Sequence, residues 1–255
     1  MNRQAQACVM FLFGGAVLRA TMTDLYLRYV KEGLRPFLIA ASLVLIAAAV
    51  MTLWYEFRPA FTSSEPDEAT ADRLDEVGGV PAATDHGHSH HEPRVAWLLI
   101  LPIVGLLMVV PPALGSYAAG QAGTAVTAAD EYENLPLPAG DPATTTLLDY
   151  AARALFDNGR SIGDRRVRLT GFLTPGPDGQ PILARMVLSC CAADGRPVKL
   201  GMTGDIPTGL DNDTWIQVVG RYTDRRGRDP INNEEIPYVE VESWREVIAP
   251  PDPYE

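Results

Sequence analysis

Histidine is confined to one short stretch of this sequence, and its absence elsewhere excludes several functions. The four histidines of the 255-residue chain are His86, His88, His90 and His91. The long segment after them therefore offers no base for a Ser–His–Asp triad. It also contains no phosphate-binding loop of the GxxxxGK(S/T) type and no Gly-x-Ser-x-Gly nucleophile elbow. We therefore expect a protein that is not an enzyme.

Basic residues are in the minority. Lysine and arginine number 21 against 32 aspartates and glutamates, which gives a formal net charge of −11. Binding to nucleic acids depends largely on neutralisation of phosphates by these basic side chains. We expect no nucleic-acid partner.

Long apolar runs are present in the amino-terminal half. Twenty residues between Arg35 and Glu56 carry no charge, and a second charge-free run lies between Arg94 and Asp130. About 20 apolar residues in a helix cross the hydrocarbon core of a bilayer. We predict membrane spans at about 36–54 and 95–118.

A shorter apolar stretch, residues 5–22, precedes both runs. Its apolar core also suits the central region of a signal peptide, but no convincing cleavage site follows it. We predict a first membrane span with Arg19 reaching back to the headgroups, so that residues 1–54 hold two spans. The expected localisation is the cell membrane, in a multi-pass arrangement.

The orientation is predicted from the basic residues. The loop between the first two spans carries Arg28, Lys31 and Arg35, whereas the acidic, histidine-containing loop 55–94 has only three arginines over forty positions. Basic residues in short loops favour the cytoplasmic side. Loop 55–94 is therefore expected outside the cell, and the carboxyl-terminal domain in the cytoplasm.

The remaining sequence changes character after the third apolar run. Residues 119–143, rich in Ala, Gly, Thr and Pro, predict a linker. Residues 144–158 predict a helix, and five short apolar or alternating runs separated by turns follow it. One of the predicted turns is DRRGRDP, residues 224–230. The expected fold class is a membrane α-helical region plus a soluble, mainly β domain at 144–255, folding independently as a five-stranded OB-like barrel with one preceding helix. An open five-stranded sheet is the alternative.

The histidine cluster predicts metal binding. Neutral imidazole is a good ligand for zinc, copper and nickel, and Asp85 or Glu92 could complete a coordination shell. The flexible spacing favours a weakly bound, exchangeable Zn²⁺ over a rigid structural site. The alternative is a solvated polar loop with no metal role.

Two adjacent cysteines, Cys190 and Cys191, form a second candidate site. Alternation along a strand end would turn one side chain inward as a small core residue. The other would face outward as a soft metal ligand or redox contact. Both interpretations stay open.

Several segments resemble the YcgQ-type family of bacterial predicted permease subunits. These are YLRYVKEGLRPFLIAASLVLI, VAWLLILPIVGLLMVVPPALGSYAA, ARMVLSCCAADGRPV and DTWIQVVGRY. The resemblance implies amino-terminal spans, a carboxyl-terminal barrel-like domain and a multi-span permease as partner. Some relatives are associated with zinc homeostasis, and no catalytic activity is implied.

Together these features predict an accessory membrane subunit of a permease-type transport system that handles zinc or another divalent metal. In this hypothesis the histidine loop collects ions and the β domain docks the permease, with the lipid bilayer as the second partner. The alternative is a membrane-anchored binding or assembly module whose β domain recognises a protein or an envelope polymer, without a metal role.

Overall fold

The computed structural model describes residues 3–57, 112–126, 136–177 and 179–255. These residues form two compact units. The first contains residues 3–18 and 40–57. The second contains residues 19–39 together with the described residues from 112 onward, so the segment between the two amino-terminal helices is part of the β domain's unit.

The described part of the first unit consists of most of two apolar helices, α1 (Arg3–Met22) and α2 (Arg35–Phe57). They approach closely at Gly14, where a β-carbon would lie 3.0 Å from Ile46 Cγ1 and 3.1 Å from the Ser42 carbonyl oxygen. A larger residue here would need its neighbours to shift by a few tenths of an ångström, so glycine suits this close approach.

One helix among the described residues is long and apolar enough to cross a membrane. It covers Glu32–Tyr55, with a mean hydropathy of 2.4. The apolar part of α1, Gln6–Met22, is helical but shorter. The span predicted at 36–54 thus coincides with a suitable helix, whereas the one predicted at 5–22 rests on a helix that falls short by the same measure.

Two short 3-10 helices, Leu25–Arg28 and Glu32–Leu34, connect α1 to α2. Tyr26 and Leu27 are buried in this connection, with 4% and 7% of their surface exposed. A polar loop would not bury two large side chains, so residues 23–34, here called the connecting segment, are a built part of the fold.

The β domain is a closed barrel of five strands. After a two-residue strand, β1 (Ala143–Thr144), come β2 (Val167–Pro175), β3 (Pro181–Val187), β4 (Arg196–Gly204), β5 (Trp215–Arg228) and β6 (Glu235–Glu246). The order β2-β3-β4-β6-β5 is closed by pairing of β5 with β2, and β4 runs parallel to β6. This order is that of an OB-like barrel and confirms the predicted closed form.

One predicted turn is wrong. DRRGRDP was expected to end a strand, yet β5 continues to Arg228 and the turn lies at 229–234. An irregularity in the pairing between Tyr222 and Arg226 lets β5 bend without ending. The charged side chains here stay exposed while the backbone keeps its hydrogen bonds, which a hydropathy pattern does not reveal.

The predicted helix preceding the barrel is present as α4 (Leu147–Phe156), after a third short helix described below. Its start is capped by the Thr146 hydroxyl, which accepts the Asp149 N–H at 3.0 Å. Leu147, Tyr150 and Ala154 belong to the same buried cluster as the barrel residues Val167, Leu200, Val218 and Val239. The helix therefore completes the barrel core.

The described ends of the predicted linker are also part of the β domain. Helix α3 (Ser116–Gln121) is held at its start by Asp213, which accepts both the N–H and the hydroxyl of Ser116. Val126 and Leu137 are in the core cluster. Helix α3, which overlaps the end of the span predicted at 95–118, is thus bonded to the β domain, and the core cluster extends beyond residues 144–255 into the predicted linker.

Candidate functional site

The connection between β3 and β4 carries the two adjacent cysteines. This cysteine turn, residues 188–195, contains one 3-10 helix, Ala192–Asp194. The carboxylate of Asp194 folds back over the turn and accepts the N–H of Ser189 at 3.0 Å and of Cys190 at 2.8 Å. Its side chain therefore fixes the backbone on which both cysteines stand.

Cys191 and Asp194 form a reciprocal capping pair. The sulfur of Cys191 accepts the backbone N–H of Asp194, and the carboxylate of Asp194 accepts the backbone N–H of Cys191. As a result, one ligand atom from each of Cys190, Cys191 and Asp194 lies within 4.8 Å of the others. All three cysteines of the chain are free, and Cys190 is exposed.

The electrostatics of the cysteine turn follow mainly from hydrogen bonds among Cys190, Cys191 and Asp194. The Cys190 thiol donates to the carboxylate of Asp194, and this bond, followed by the one with Cys191, raises the pKa of Cys190 to about 11. The same thiol and the backbone N–H groups lower the pKa of Asp194. At neutral pH the turn thus holds a neutral Cys190 thiol against a negative carboxylate.

The connecting segment pairs with the cysteine turn. Val30 and Cys191 form an antiparallel bridge; the Lys31 N–H donates to the Cys190 carbonyl at 3.1 Å, and the Ala192 N–H donates to the Tyr29 carbonyl at 2.7 Å. We call this pairing of 29–31 with 190–192 the joint. Lys31 Nζ adds a contact of 3.4 Å to the Leu188 carbonyl.

A groove of about 690 Å³ opens on the β domain where the connecting segment and the start of α3 meet the barrel. Its walls are mostly apolar and rich in aromatic and proline side chains, namely Leu114, Tyr117, Phe172, Trp215, Pro250 and Pro251, with Arg28 at its edge. Phe172 and Trp215 pack edge to face at 5.7 Å. Tyr117 is 82% exposed, so the groove presents apolar surface to solvent.

The predicted site residues have different outcomes. Asp85, His86, His88, His90, His91 and Glu92 lie outside the described residues. Cys190 and Cys191 lie together, and neither is a buried core residue. Sequence reasoning missed Asp194, although its position three residues after Cys191 has the spacing of a capping box.

The fold and the cysteine turn define a class of protein: an OB-like barrel domain whose surface incorporates the segment between two apolar helices. Residues 152–255 match the DUF1980 C-terminal domain. This domain is therefore present in the chain, which is consistent with a YcgQ-like family. No curated protein and no solved structure matches the chain.

Proposed function

We propose that this protein is an accessory membrane subunit of a permease-type transport system for zinc or another divalent metal. The observation that carries this proposal is the joint, in which the segment between α1 and α2 is hydrogen-bonded into the β domain. Because the β domain is built onto the segment between α1 and α2, a conformational change in this domain can be transmitted to the two helices. The helices provide anchorage, and the β domain provides the surface for a partner.

The joint also supports a multi-pass arrangement. Residues 29–31 and 190–192 are hydrogen-bonded and therefore lie on the same face of the membrane. If α2 crosses the bilayer, the chain must cross it again before residue 112. The apolar run that begins after Arg94 supplies the sequence for this return, and loop 55–94 would then lie on the opposite face.

The groove is the surface proposed for the permease. It adjoins Arg28 in the connecting segment and Pro112 in the later part of the second charge-free run, so both chain segments that lead toward the membrane reach it. Aromatic side chains in a recess are typical of residues that dominate binding energy at interfaces. A multi-span protein in the same membrane would be able to contact this groove.

Purification of the tagged full-length protein in mild detergent tests the partner. A photo-reactive amino acid at Tyr117 in the groove should cross-link to a co-purifying multi-span protein. The same amino acid at Ile231, which is 47% exposed and outside the groove, should not. Cross-linking to a soluble protein or an envelope polymer would instead support the assembly-module function.

Impermeant maleimide tests the arrangement in the membrane. In a cysteine-free background, Ser64→Cys in loop 55–94 should be labelled in intact cells, whereas Ser243→Cys on β6 should be labelled only after permeabilisation. Labelling of both in intact cells would contradict the second crossing.

The metal-collecting role of the histidines is tested separately. In a background with Cys190→Ser and Cys191→Ser, replacement of His86, His88, His90 and His91 together by serine should remove most of the exchangeable zinc binding measured by titration calorimetry. Binding should weaken as pH falls through about 6.5, because only neutral imidazole is a ligand. Equal zinc binding by the proteins with and without the four histidines would show that loop 55–94 is a polar spacer with no metal role.

A further inference from the structure

We propose that Cys190, Cys191 and Asp194 form a binding site for a thiophilic divalent cation of the zinc class, and that the bound ion stabilises the joint. The proposal concerns a site separate from the histidine loop. It does not depend on the permease partner, because it follows from the geometry of the cysteine turn and from the backbone groups that this turn shares with the connecting segment.

The spacing of the three donors suits zinc. Two sulfurs at about 2.3 Å from the metal and one oxygen at about 2.1 Å would lie roughly 3.4–3.8 Å apart in a tetrahedral site. The three ligand atoms already lie within 4.8 Å of one another. Rotamer adjustment of less than roughly 2 Å would therefore bring them to ligand distance. The exposure of Cys190 leaves the fourth position open to water or an exchangeable ligand.

The surrounding N–H groups support this role. A carboxylate has about four lone-pair sites, so Asp194 can bind a cation and still accept the N–H groups of Ser189 and Cys190. The N–H of Asp194 donates to the sulfur of Cys191 and so orients this ligand atom. Hydrogen bonds that orient metal ligands are characteristic of the outer sphere of metal sites.

The donor set also limits which ion is bound. Thiolates favour zinc and copper(I), whereas calcium and magnesium prefer all-oxygen sites. Of zinc and copper(I), the carboxylate of Asp194 favours zinc, which is divalent. Lys31 Nζ, which contacts the Leu188 carbonyl, adds a positive charge at the turn and argues for an exchangeable rather than a permanently bound ion.

Metal binding and the joint share the same residues. The Cys190 carbonyl accepts the Lys31 N–H, and Ala192, between Cys191 and Asp194, donates to Tyr29. An ion that fixes the side chains of 190, 191 and 194 also fixes these two backbone groups. Occupancy of the site would therefore stabilise the attachment of the connecting segment to the barrel.

Cobalt(II) is the probe for the site, because its thiolate complexes absorb in the near ultraviolet. The protein is the full-length chain in detergent, carrying Cys8→Ser and the four histidine-to-serine changes, so that other strong ligands are removed. A thiolate-to-cobalt charge-transfer band is expected on titration. Cys190→Ser and Cys191→Ser should each reduce it strongly, and Asp194→Asn should weaken cobalt affinity, while the matched control Asp205→Asn on an exposed carboxylate should not.

Absence of the band from the parent protein, or its persistence after both cysteine changes, would overturn the site. Circular dichroism of each variant establishes that the fold is retained. Because the permease is not needed for the titration, a negative result here leaves the proposed function standing, and failure to find a permease leaves the site standing.

Hydrogen exchange tests the connection to the joint. If opening of the joint releases the metal, zinc at 100 times its dissociation constant should slow exchange of the Lys31 and Ala192 amides by up to about 100-fold. The Cys190→Ser variant should show no such slowing. Metal binding without any change in these two amides would overturn the stabilisation of the joint.

Discussion

The hydroxyl of Tyr254 donates to the carbonyl of Arg28 at 2.8 Å. The same oxygen accepts the N–H of Leu114 at 2.9 Å. Burial is the main cause that raises the pKa of Tyr254, so the hydroxyl keeps its proton at neutral pH and remains a donor. One side chain thus connects the connecting segment, the residues preceding α3 and the last residues of the chain.

Tyr254→Phe should loosen this connection. Loss of both hydrogen bonds removes one partner each from the partly buried Arg28 carbonyl and Leu114 N–H, and a typical hydrogen bond contributes about 0.5–1.5 kcal/mol to stability. We expect a lower unfolding temperature and faster trypsin cleavage at Arg28 or Lys31. Tyr117→Phe, at an exposed tyrosine, is the matched control and should leave both unchanged. Unaltered cleavage in Tyr254→Phe would show that the hydroxyl does not hold the segment.

A disulfide should form across the joint when Val30 is changed to cysteine. Bridged antiparallel residues have Cα atoms about 4.5–5.5 Å apart, within the range of about 4.4–6.8 Å found in disulfides. In a background with Cys8→Ser and Cys190→Ser, mild oxidation of Val30→Cys should consume two thiols and link residue 30 to Cys191. Gly33→Cys, three residues further on, should remain reduced. Equal oxidation of the two variants would argue against the pairing.

The buried ion pair between Lys199 and Asp229 anchors the chain after α3. Their side chains are 6% and 0% exposed, with Nζ and Oδ2 2.8 Å apart, and Asp229 also accepts the Thr124 N–H. Asp229→Asn leaves a buried ammonium without a counter-charge. Its free energy of unfolding, measured by thermal unfolding, should therefore fall by roughly 3–5 kcal/mol. Glu242→Gln removes an exposed partner of Arg221 and should cost about 1 kcal/mol or less. Similar losses of unfolding free energy in the two variants would contradict the anchoring role of the Lys199–Asp229 ion pair.

Glu255 predicts a specific dependence of stability on pH. Its carboxylate accepts the N–H groups of Leu147 and Leu148 at the start of α4, but burial dominates and raises its pKa above 4.5. A raised pKa in the folded state means that the stabilising contribution is complete below about pH 4.5 and declines as pH rises through the folded-state value. The stability of the wild type relative to Glu255→Gln should therefore fall from acid to neutral pH. Thermal unfolding of both proteins across this pH range measures the difference in stability. A wild-type stability that rises relative to Glu255→Gln toward neutral pH would contradict the raised pKa of Glu255.

The strands of the barrel were predictable because the sequence signals for them lie within short stretches of the chain. Alternating side chains from Val167 to Phe172 and turn residues such as Gly176 and Gly179 determine strands regardless of distant contacts. The continuation of β5 to Arg228 was missed because a bulge preserves backbone pairing where the side chains have the composition of a turn.

The joint was not predictable in this way. Its hydrogen bonds connect residues about 160 positions apart, and nothing near Val30 or Lys31 indicates a partner at Cys191. Tyr26 and Leu27 offered the one local signal, since two large side chains in a short polar loop require burial. Asp194 was within reach, because Cys191 and Asp194 have capping-box spacing and an aspartate at this position orders the turn before it.

The Tyr254–Arg28 bond also has a consequence for biosynthesis. The two residues are 226 positions apart, so at roughly 5–20 residues per second a ribosome adds Tyr254 about 10–45 s after Arg28. For most of this interval the residues of α1 and α2 have already been added, while the connecting segment lacks its final contact. A premature stop that removes only the last few codons would therefore leave both apolar helices intact and still produce a protein without this closure.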